Sequence, residues 1–269
     1  MDIVLTRNGK RTTLKPFFAS EGGDFLLYHA DCLEVLPRLK DVDVIFADPP
    51  YFLSSGGITC HAGRMVPVDK GEWDKPRGVK ENHKFNRQWL RACRKALKKD
   101  GTIWVSGTHH TIFSVGFAMQ ELGFKLLNAV TWFKPNAPPN LSCRYFTHST
   151  ETVLWAARSE ESKHYFDYDA MKAEGGGKQM RDLWQFSPPS KREKAFGKHP
   201  TQKPLALLRR IIRAGSREGE LIVDPFAGSS TTGLAAVSLG RRFIGIETEE
   251  EFLRLSVKRY QELNRKPPT

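Results

Sequence analysis

Short apolar runs alternate with segments of helical spacing along most of this 269-residue chain. The runs at 25–29, 42–47, 102–105 and 221–224 have the length and composition of buried strands. In the segment 83–98, the apolar residues recur at helical spacing instead. Alternation of this kind is typical of an α/β protein whose helices flank a parallel, doubly wound sheet.

The same patterning predicts the remaining elements. A short helix is expected from Asp31, a further helix at 110–121, and strands near 124–133 and 150–157. A helix over 204–214 begins suitably with a proline.

The strand at 42–47 stops abruptly at Asp48-Pro49-Pro50-Tyr51. A carboxylate and a carbonyl held rigidly by prolines can each accept one N–H bond from the exocyclic amino group of a nucleobase. An aromatic ring can stack on that base, which is worth about 1–3 kcal/mol. The motif therefore predicts methylation of an amino group on a base that is flipped out or single-stranded. An ordinary strand end with an Asp-Pro turn is the alternative.

A second strand end, at Asp224, has the character of a cofactor site. A loop of small residues follows Asp224 and opens a helix near Thr231. Small residues let the backbone approach a ligand, and a helix N-terminus favours a carboxylate. A further strand ends in Glu247, close to the ~20 residues expected before an acid that binds ribose hydroxyls. A nicotinamide or flavin site is the alternative, but the loop lacks G-x-G-x-x-G, and a packed β–α turn is another.

Composition narrows the class of protein. Lysine and arginine total 42 against 30 acids, a net charge of +12, which favours a polyanionic partner, foremost nucleic acid, over a basic surface that serves only solubility. The four cysteines lack paired spacing and predict free thiols. We expect no metal site, since His109-His110 has no partner at ligand spacing. No apolar run of membrane-spanning length and no signal peptide is evident, so we expect a cytoplasmic protein without a membrane partner.

Taken together, the motifs resemble those of DNA amino-methyltransferases of the β arrangement, in which the catalytic block precedes the block that binds S-adenosylmethionine. Residues 48–51 match the catalytic motif and residues 224–232 match the cofactor loop. Residues 199–204 and 29–33 match two further cofactor motifs. The resemblance implies a Rossmann-like class I methyltransferase fold with circularly permuted motifs. Its sheet would have seven mostly parallel strands, one of them antiparallel.

The resemblance also implies a role for each motif residue. The catalytic group would be Asp48, Pro49, Pro50 and Tyr51, with the acid and the Pro49 carbonyl on the amino group and the ring stacked on the base. The implied cofactor-binding residues are Asp31, Cys32, Lys203, Asp224, Phe226, Gly228, Ser229, Ser230, Thr231 and Glu247.

Within this cofactor set the implied contacts are specific. Glu247 would hold the ribose hydroxyls, Asp31 would bond the adenine amino group, and Lys203 would help on the methionine side. Phe226 would lie against the cofactor, the backbone around Gly228 would approach it closely, and Thr231 would lie near the methionine carboxylate. One departure is Ser230, where the family has a second glycine, so we expect an altered or weaker cofactor contact.

The first residue of the catalytic motif bears on the target base. Asp48 favours adenine N6, because serine is usual at this position in the family's N4-cytosine enzymes. Methylation at cytosine C5 is disfavoured, since it needs a cysteine nucleophile and no cysteine follows a proline here. An N4-cytosine DNA methyltransferase, an RNA adenine methyltransferase and a non-catalytic DNA-binding relative stay open as alternatives.

Three stretches outside the general motifs indicate a subgroup. Residues 48–58, 68–75 and 140–151 resemble the DpnA-type adenine methyltransferases of DpnII-like restriction–modification systems. The resemblance implies adenine within GATC as the target and a cognate restriction endonuclease in the same system. Homodimers are common in the wider family.

These observations predict a domain organisation. Residues 1–23 would form an N-terminal arm, 24–157 the catalytic half, 158–198 an inserted target-recognition lobe without regular periodicity, and 199–269 the half that binds S-adenosylmethionine. A flexible surface excursion is the alternative for the lobe.

Two loops are candidates for contacts with the substrates. Asp69, Lys70, Trp73 and Lys75, in the long segment 52–82, could form a lid or a mobile solvated loop. Arg144, Tyr145 and Phe146 offer a cation and rings for phosphates and flipped bases, with core packing of the rings as the alternative.

Overall fold

A mixed β-sheet flanked by helices forms the centre of the protein. The computed structural model describes residues 1–7, 10–54, 58–61, 64–67, 74–75, 77–197 and 199–265. The strands are β1 (Ile3–Arg7), β2 (Lys10–Leu14), β3 (Phe18–Ala19), β4 (Phe25–His29), β5 (Val42–Ala47), β6 (Ile58–His61), β7 (Arg64–Pro67), β8 (Leu97–Gly107), β9 (Lys125–Phe133), β10 (Thr150–Ala157), β11 (Leu183–Gln185), β12 (Leu221–Asp224) and β13 (Arg242–Glu247). The helices are α1 (Cys32–Val35), α2 (Val79–Ala96), α3 (Ile112–Glu121), α4 (Tyr168–Glu174), α5 (Leu205–Gly215), α6 (Thr231–Ser238) and α7 (Glu250–Arg265).

The strand order of the sheet is β11-β9-β10-β8-β5-β12-β13-β4-β3. In the seven strands from β9 to β4, β10 runs antiparallel to both of its neighbours, and the other pairs are parallel. The predicted seven-stranded sheet with one antiparallel strand is thereby confirmed. The short strands β3 and β11 extend this sheet at its two edges, and β3 adds a second antiparallel pairing.

Apolar layers cover both faces of the sheet. Every residue of β5 is buried, and from Val44 to Ala47 its side chains alternate between two clusters. Ile45 belongs to the cluster that contains Trp89 of α2, whereas Phe46 belongs to the one that contains Ile211 of α5. Burial on both faces explains why this strand is apolar in sequence apart from Asp43, which pairs with Lys98.

The junction between α2 and β8 differs from the expected one. The sequence predicted helical spacing over 83–98 and a strand at 102–105, but α2 ends at Ala96 and β8 begins at Leu97. The strand starts earlier than predicted, and its pairing with β5 shifts register between Val42 and Val44. A Cβ on Gly101 would lie 2.9 Å from the Val42 carbonyl oxygen, so only glycine fits this close approach.

Three segments outside the predicted strands and helices contain regular structure. The antiparallel pair β1–β2 lies in residues 1–23, and β6 and β7 pair antiparallel within the long segment 52–82. Within 158–198, α4 and β11 are regular, and Trp184 of β11 is buried in the core. The boundaries and roles assigned to the arm and the lobe stay predictions. In the described part of the chain, no helix has both the length and the apolar character needed to cross a membrane.

Candidate active site

The two motif-bearing strands lie side by side in the sheet. Val44 and Ile45 of β5 pair in parallel with Ile222 and Val223 of β12. The acids that follow, Asp48 and Asp224, therefore lie at the same carboxyl edge, where ligands bind in open α/β sheets.

A cleft opens at this edge. Predicted residues from both halves of the chain line it: Asp31, Cys32, Asp48, Pro49, Pro50, Tyr51, Phe226, Gly228 and Glu247. A smaller adjoining cavity shares some of these residues and adds Lys203, Asp224, Ser229 and Thr231. Of the predicted site residues, Ser230 alone lines neither space.

The Asp48 carboxylate is held through both of its oxygens. Its Oδ1 accepts a hydrogen bond of 2.7 Å from the Tyr51 hydroxyl, and its Oδ2 accepts one of 2.5 Å from Lys203 Nζ. The Lys203 side chain is only 6% exposed. The resemblance assigned Lys203 to the methionine side, whereas its ammonium group contacts the catalytic-motif acid.

Tyr51 is buried, and its hydroxyl belongs to a polar network. The hydroxyl lies 3.3 Å from Ser106 Oγ and 3.3 Å from Glu151 Oε2, in addition to its bond to Asp48. Burial and the neighbouring carboxylates of Asp48 and Glu151 raise the pKa of Tyr51 well above its usual value. The hydroxyl therefore remains protonated, and its single proton is directed to Asp48, the nearer of the two acids. Base stacking by its ring stays a prediction.

Glu151, near the start of β10, was not predicted as a site residue. Its Oε1 accepts a bond from Lys134 Nζ, and its Oε2 lies 3.7 Å from Lys203 Nζ. Burial by itself raises the pKa of Glu151, but Lys203 and Lys134 outweigh this effect and lower it. Glu151 is one residue within the subgroup stretch 140–151, and no local spacing marks it as part of the site.

Asp74 was also missed, although it organises the backbone after the catalytic motif. Its Oδ1 accepts from the amides of Tyr51 and Phe52 at 2.9 and 2.8 Å. Its Oδ2 accepts from the amides of Leu53 and Ser54 at 3.2 and 3.1 Å, and from the Ser54 hydroxyl. The side chain is fully buried. One carboxylate thus fixes four consecutive backbone groups, among them that of Phe52, whose φ is 57°.

Asp224, at the start of the cofactor-type loop, is held by short-range contacts. Asp224 accepts from the Phe226 amide at 3.0 Å and from the Thr232 hydroxyl at 2.6 Å. Burial raises the pKa of Asp224 to about 7. Phe226 packs edge-on against Trp89 of α2 at 5.4 Å while also lining the cleft.

Two residues of this loop adopt left-handed backbone conformations. Gly228 has a φ of 50°, and a Cβ there would lie 2.8 Å from Nε2 of His199. Ser230 has a φ of 53°, a region that favours glycine, so the serine that replaces the family's glycine keeps a glycine-like backbone. Its hydroxyl is buried and has no hydrogen-bond partner in the described part of the chain.

Glu247 binds the loop from the end of β13. Its Oε2 accepts from the Gly228 amide at 2.7 Å, and its Oε1 accepts from the amides of Thr248 and Glu249 at 2.8 and 3.0 Å. Burial, the largest influence, raises the pKa of Glu247. Oε1 uses both of its lone pairs on these two amides, but among the residues described Oε2 accepts only from Gly228 and keeps a second lone pair for the cleft.

Arg259 of α7 donates hydrogen bonds to the loop that follows Asp224. This contact was not predicted from the sequence. Its Nη1 donates to the Ser229 carbonyl, to Ser229 Oγ at 2.9 Å and to Thr231 Oγ1 at 3.0 Å. Only 6% of the residue is exposed, and burial lowers its pKa to about 10. Within a long basic helix, no sequence signal distinguishes this arginine from its solvated neighbours.

The remaining predicted cofactor residues lie at the start of α1. Asp31 is the N-cap of this short helix and accepts from the Leu33 amide at 2.8 Å. Cys32 is buried, and this burial together with Asp31 raises its pKa well above the usual value. Both residues line the cleft, whereas Lys203 lines the adjoining cavity.

Other candidate residues lie away from this network or outside the described residues. Asp69, Lys70 and Trp73 of the candidate lid are outside the described residues. Tyr145 and Phe146 are 60% and 96% exposed, so the core-packing alternative for these rings is wrong. Within the described ranges, no group of three or more His, Cys, Asp or Glu side chains could hold a metal ion.

Comparison with known proteins identifies relatives of this chain. Residues 42–258 match the N6/N4 methyltransferase family, described as DNA methylase. The chain is 52% identical over 253 residues to Type II methyltransferase M2.DpnII of Streptococcus pneumoniae, a match covering 93% of this chain and 94% of that protein. It is 53% identical over 248 residues to Type II methyltransferase M2.LlaDCHI of Lactococcus lactis subsp. cremoris, covering 91% of each.

A solved structure shares the fold. The M1.HpyAVI–SAM complex superimposes with a TM-score of 0.67 at 29% identity, over 88% of this chain and 98% of that one. The predicted resemblance to β-class DNA amino-methyltransferases is confirmed by these matches. The chain belongs to the N6/N4 family of DNA methylases and is an S-adenosylmethionine-dependent DNA methyltransferase.

Proposed function

We propose that this enzyme is site-specific and methylates the N6 amino group of adenine in DNA, within the sequence GATC. The observation that carries the proposal is the placement of Asp48 in one cleft with Gly228 and Glu247. A carboxylate for the target amino group and residues suited to the methyl donor thus share a single space.

Asp48 and Pro49 would hold the target nitrogen. An aromatic amino group is a poor nucleophile, because its lone pair is delocalised into the ring. Accepting its two N–H bonds on the Asp48 carboxylate and the Pro49 carbonyl favours a more tetrahedral nitrogen and stabilises the positive charge that develops there. Lys203 and Tyr51 each bond one oxygen of Asp48, which leaves a second lone pair on each for the base.

The cofactor-side residues fit S-adenosylmethionine. The left-handed Gly228 brings the backbone to the wall of the cleft, where a Cβ would collide with His199, and the free acceptor of Glu247 suits ribose hydroxyls. Asp31 lies at the same cleft for the adenine end, with Cys32 beside it, and Thr231 at the start of α6 faces the adjoining cavity on the methionine side. When bound, S-adenosylmethionine supplies an electrophilic sulfonium methyl group.

The choice of adenine rests on Asp48 and the choice of GATC on the relatives. Asp48 is the acid typical of the adenine enzymes, and hydrogen bonds from Lys203 and Tyr51 hold its carboxylate in place. The stretches 68–75 and 140–151 are those that resemble the DpnII-type subgroup, and M2.DpnII is 52% identical to this chain. We therefore assign the same target class.

Exposed aromatic and basic residues offer a DNA surface near the site. Tyr145 and Phe146 project into solvent from the loop between β9 and β10, beside Arg144. Rings and guanidinium groups of this kind stack on unpaired bases and contact phosphates. We assign target recognition to this loop together with residues 158–198.

We further propose that the enzyme acts as a homodimer in the cytoplasm, alongside a cognate restriction endonuclease. These proposals rest on the resemblance to the DpnII-type systems. Sedimentation at micromolar concentration tests the dimer, and a monomer there would reject it.

Incubation of the purified enzyme with S-adenosylmethionine and matched oligonucleotides tests the base and the site. We expect N6-methyladenine, detected by mass spectrometry of the nucleosides, in DNA that contains GATC. A scrambled sequence of equal composition and an RNA of the same sequence serve as controls. N4-methylcytosine as the product would reject the adenine assignment, and preferential methylation of RNA would reject the DNA assignment. Equal methylation of the scrambled DNA would reject GATC.

A further inference from the structure

Glu151 and Lys134 form an ion pair next to the hydrogen bonds that join Asp48 to Tyr51 and Lys203. We infer that Glu151 is a positioning residue for methyl transfer, which, together with Lys134, holds Lys203 and Tyr51 against Asp48. The inference rests on the proposed role of Asp48 in holding the target amino group.

The geometry connects Glu151 to both groups that hold Asp48. Its Oε2 lies 3.3 Å from the Tyr51 hydroxyl and 3.7 Å from Lys203 Nζ. Ser106 Oγ, on the neighbouring strand β8, lies 3.4 Å from the same oxygen. Lys134 Nζ binds the other oxygen of Glu151. A single carboxylate thus links the antiparallel strand β10 to the catalytic motif after β5.

The charges around Glu151 explain why its contacts with Lys203 and Tyr51 matter for methyl transfer. Two carboxylates, Asp48 and Glu151, face two ammonium groups, Lys203 and Lys134, and all four side chains are at most 21% exposed. Removing the charge of Glu151 would leave Lys134 without its acid in this network and Lys203 with Asp48 alone among the four groups. Lys203 and Tyr51 would then lose the group that orients them beside Asp48, so the carboxylate that accepts the base N–H would be held less well.

The same contacts orient Lys203. Its ammonium group has three N–H donors, and they reach Asp48 Oδ2 at 2.5 Å, the Tyr51 hydroxyl at 3.3 Å and the Thr201 carbonyl at 3.4 Å. The Glu151 carboxylate lies beside this ammonium group and beside Tyr51, so it limits the directions that both can take. Burial opposes the charged form of Lys203, but Asp48 and Glu151 outweigh this effect and raise its pKa.

The decisive experiment separates methyl transfer from cofactor binding. Glu151→Gln keeps the size of the side chain and one carbonyl acceptor but removes the charge. We expect its single-turnover rate, measured as total labelled methyl transferred to DNA, to fall about 10- to 100-fold, the size expected for loss of a group that orients a catalytic residue. The dissociation constant for S-adenosylmethionine should change less than about threefold, because Glu151 lines neither cavity.

A double-mutant cycle tests whether Glu151 and Lys134 act through one contact. Lys134→Met should reduce transfer in the same direction, and the double variant should lose no more than Glu151→Gln alone. Glu160→Gln is a matched control, since Glu160 pairs with Lys125 at the far end of β9 and is 74% exposed. This control should transfer at the wild-type rate.

Three results would overturn the inference. They are a rate for Glu151→Gln within twofold of wild type, an equal loss of transfer and cofactor affinity, and multiplicative losses in the double variant. If Glu151→Gln does not fold, the transfer rate of Lys134→Met decides, and an unchanged rate rejects the inference. Because total methyl is counted, a wild-type product other than N6-methyladenine rejects the proposed function and leaves this comparison of rates intact.

Discussion

Two acids at neighbouring strand ends are held in opposite ways. Asp224 is bound by groups two and eight residues further along the chain, the Phe226 amide and the Thr232 hydroxyl. Asp48 is bound by Lys203, which lies 155 residues away, as well as by nearby Tyr51. The contacts of Asp224 are therefore encoded by local sequence, whereas the catalytic acid depends on the completed fold.

Replacing Asp48, the acid whose contacts depend on the completed fold, should cause the largest loss of methyl transfer. Asp48→Asn keeps the size of the side chain but removes the charge that offsets the developing positive charge. We expect transfer to fall about 10²- to 10³-fold, as for other groups that stabilise charge in a transition state. Calorimetry should show S-adenosylmethionine binding close to wild type. Retained transfer would remove Asp48 from its proposed role.

The backbone after the catalytic motif also depends on the completed fold, because Asp74 holds it from a distance in sequence. In Asp74→Asn an NH₂ group would replace one oxygen and face either the amides of Tyr51 and Phe52 or those of Leu53 and Ser54. A buried donor facing donors costs about 1–3 kcal/mol, so transfer should fall about tenfold or more as the motif loosens. Stopped-flow or quench kinetics would measure this loss.

A surface aspartate provides the control for Asp74. Asp100 also accepts a backbone amide, that of Lys163 at 2.8 Å, but is exposed. Asp100→Asn should leave transfer unchanged. Equal behaviour of the two variants would show that Asp74 has no special part in holding the catalytic loop.

Arg259 tests the cofactor side of the comparison, since it contacts the loop after Asp224 from 28 to 30 residues away. Arg259→Met removes the donor to Ser229 and Thr231. We expect affinity for S-adenosylmethionine to fall about tenfold, roughly 1.4 kcal/mol, with little change in transfer at saturating cofactor.

Two variants sharpen the test of Arg259. Arg259→Lys should lose part of this affinity, because an ammonium group cannot reproduce the planar donor set of a guanidinium. Arg254→Gln, on the same helix but 68% exposed, should bind normally. A loss of transfer without a loss of affinity would place the role of Arg259 elsewhere.

The smallest expected effect is on the pH dependence of stability, to which Asp224 contributes. Its pKa is about 7 in the folded protein, against an ordinary value of 3.8. Between these values the folded state binds more protons than the unfolded state, so this group makes the free energy of unfolding fall as pH rises from about 4 to about 7. Asp224→Asn removes that dependence. The Tm of the variant relative to wild type should therefore increase between pH 5 and pH 7.5, and a constant difference would contradict the raised pKa.

The same contrast explains what the sequence could predict. The strand alternation, the order of the two motifs and the cofactor loop are local patterns, and the fold confirmed the first two. No local pattern marks Glu151, Asp74 or Arg259 as site residues. Their side chains reach the site only when distant strands and helices pack together. Lys203 was selected from its motif, but its contact with Asp48 depends on how α5 packs beside β5. The edge strands β3 and β11, two and three residues long, are too short to leave a periodic pattern.

The central claim, that the Asp48 site methylates adenine N6 within GATC, has one most direct test. The enzyme is expressed in a host that lacks other adenine methylation, and modified bases are mapped across the genome by sequencing, with Asp48→Asn as the matched control. We expect N6-methyladenine at GATC sites with the wild-type enzyme and its loss with the variant. Methylation at cytosine, at adenines outside GATC, or equally with both proteins would contradict the account.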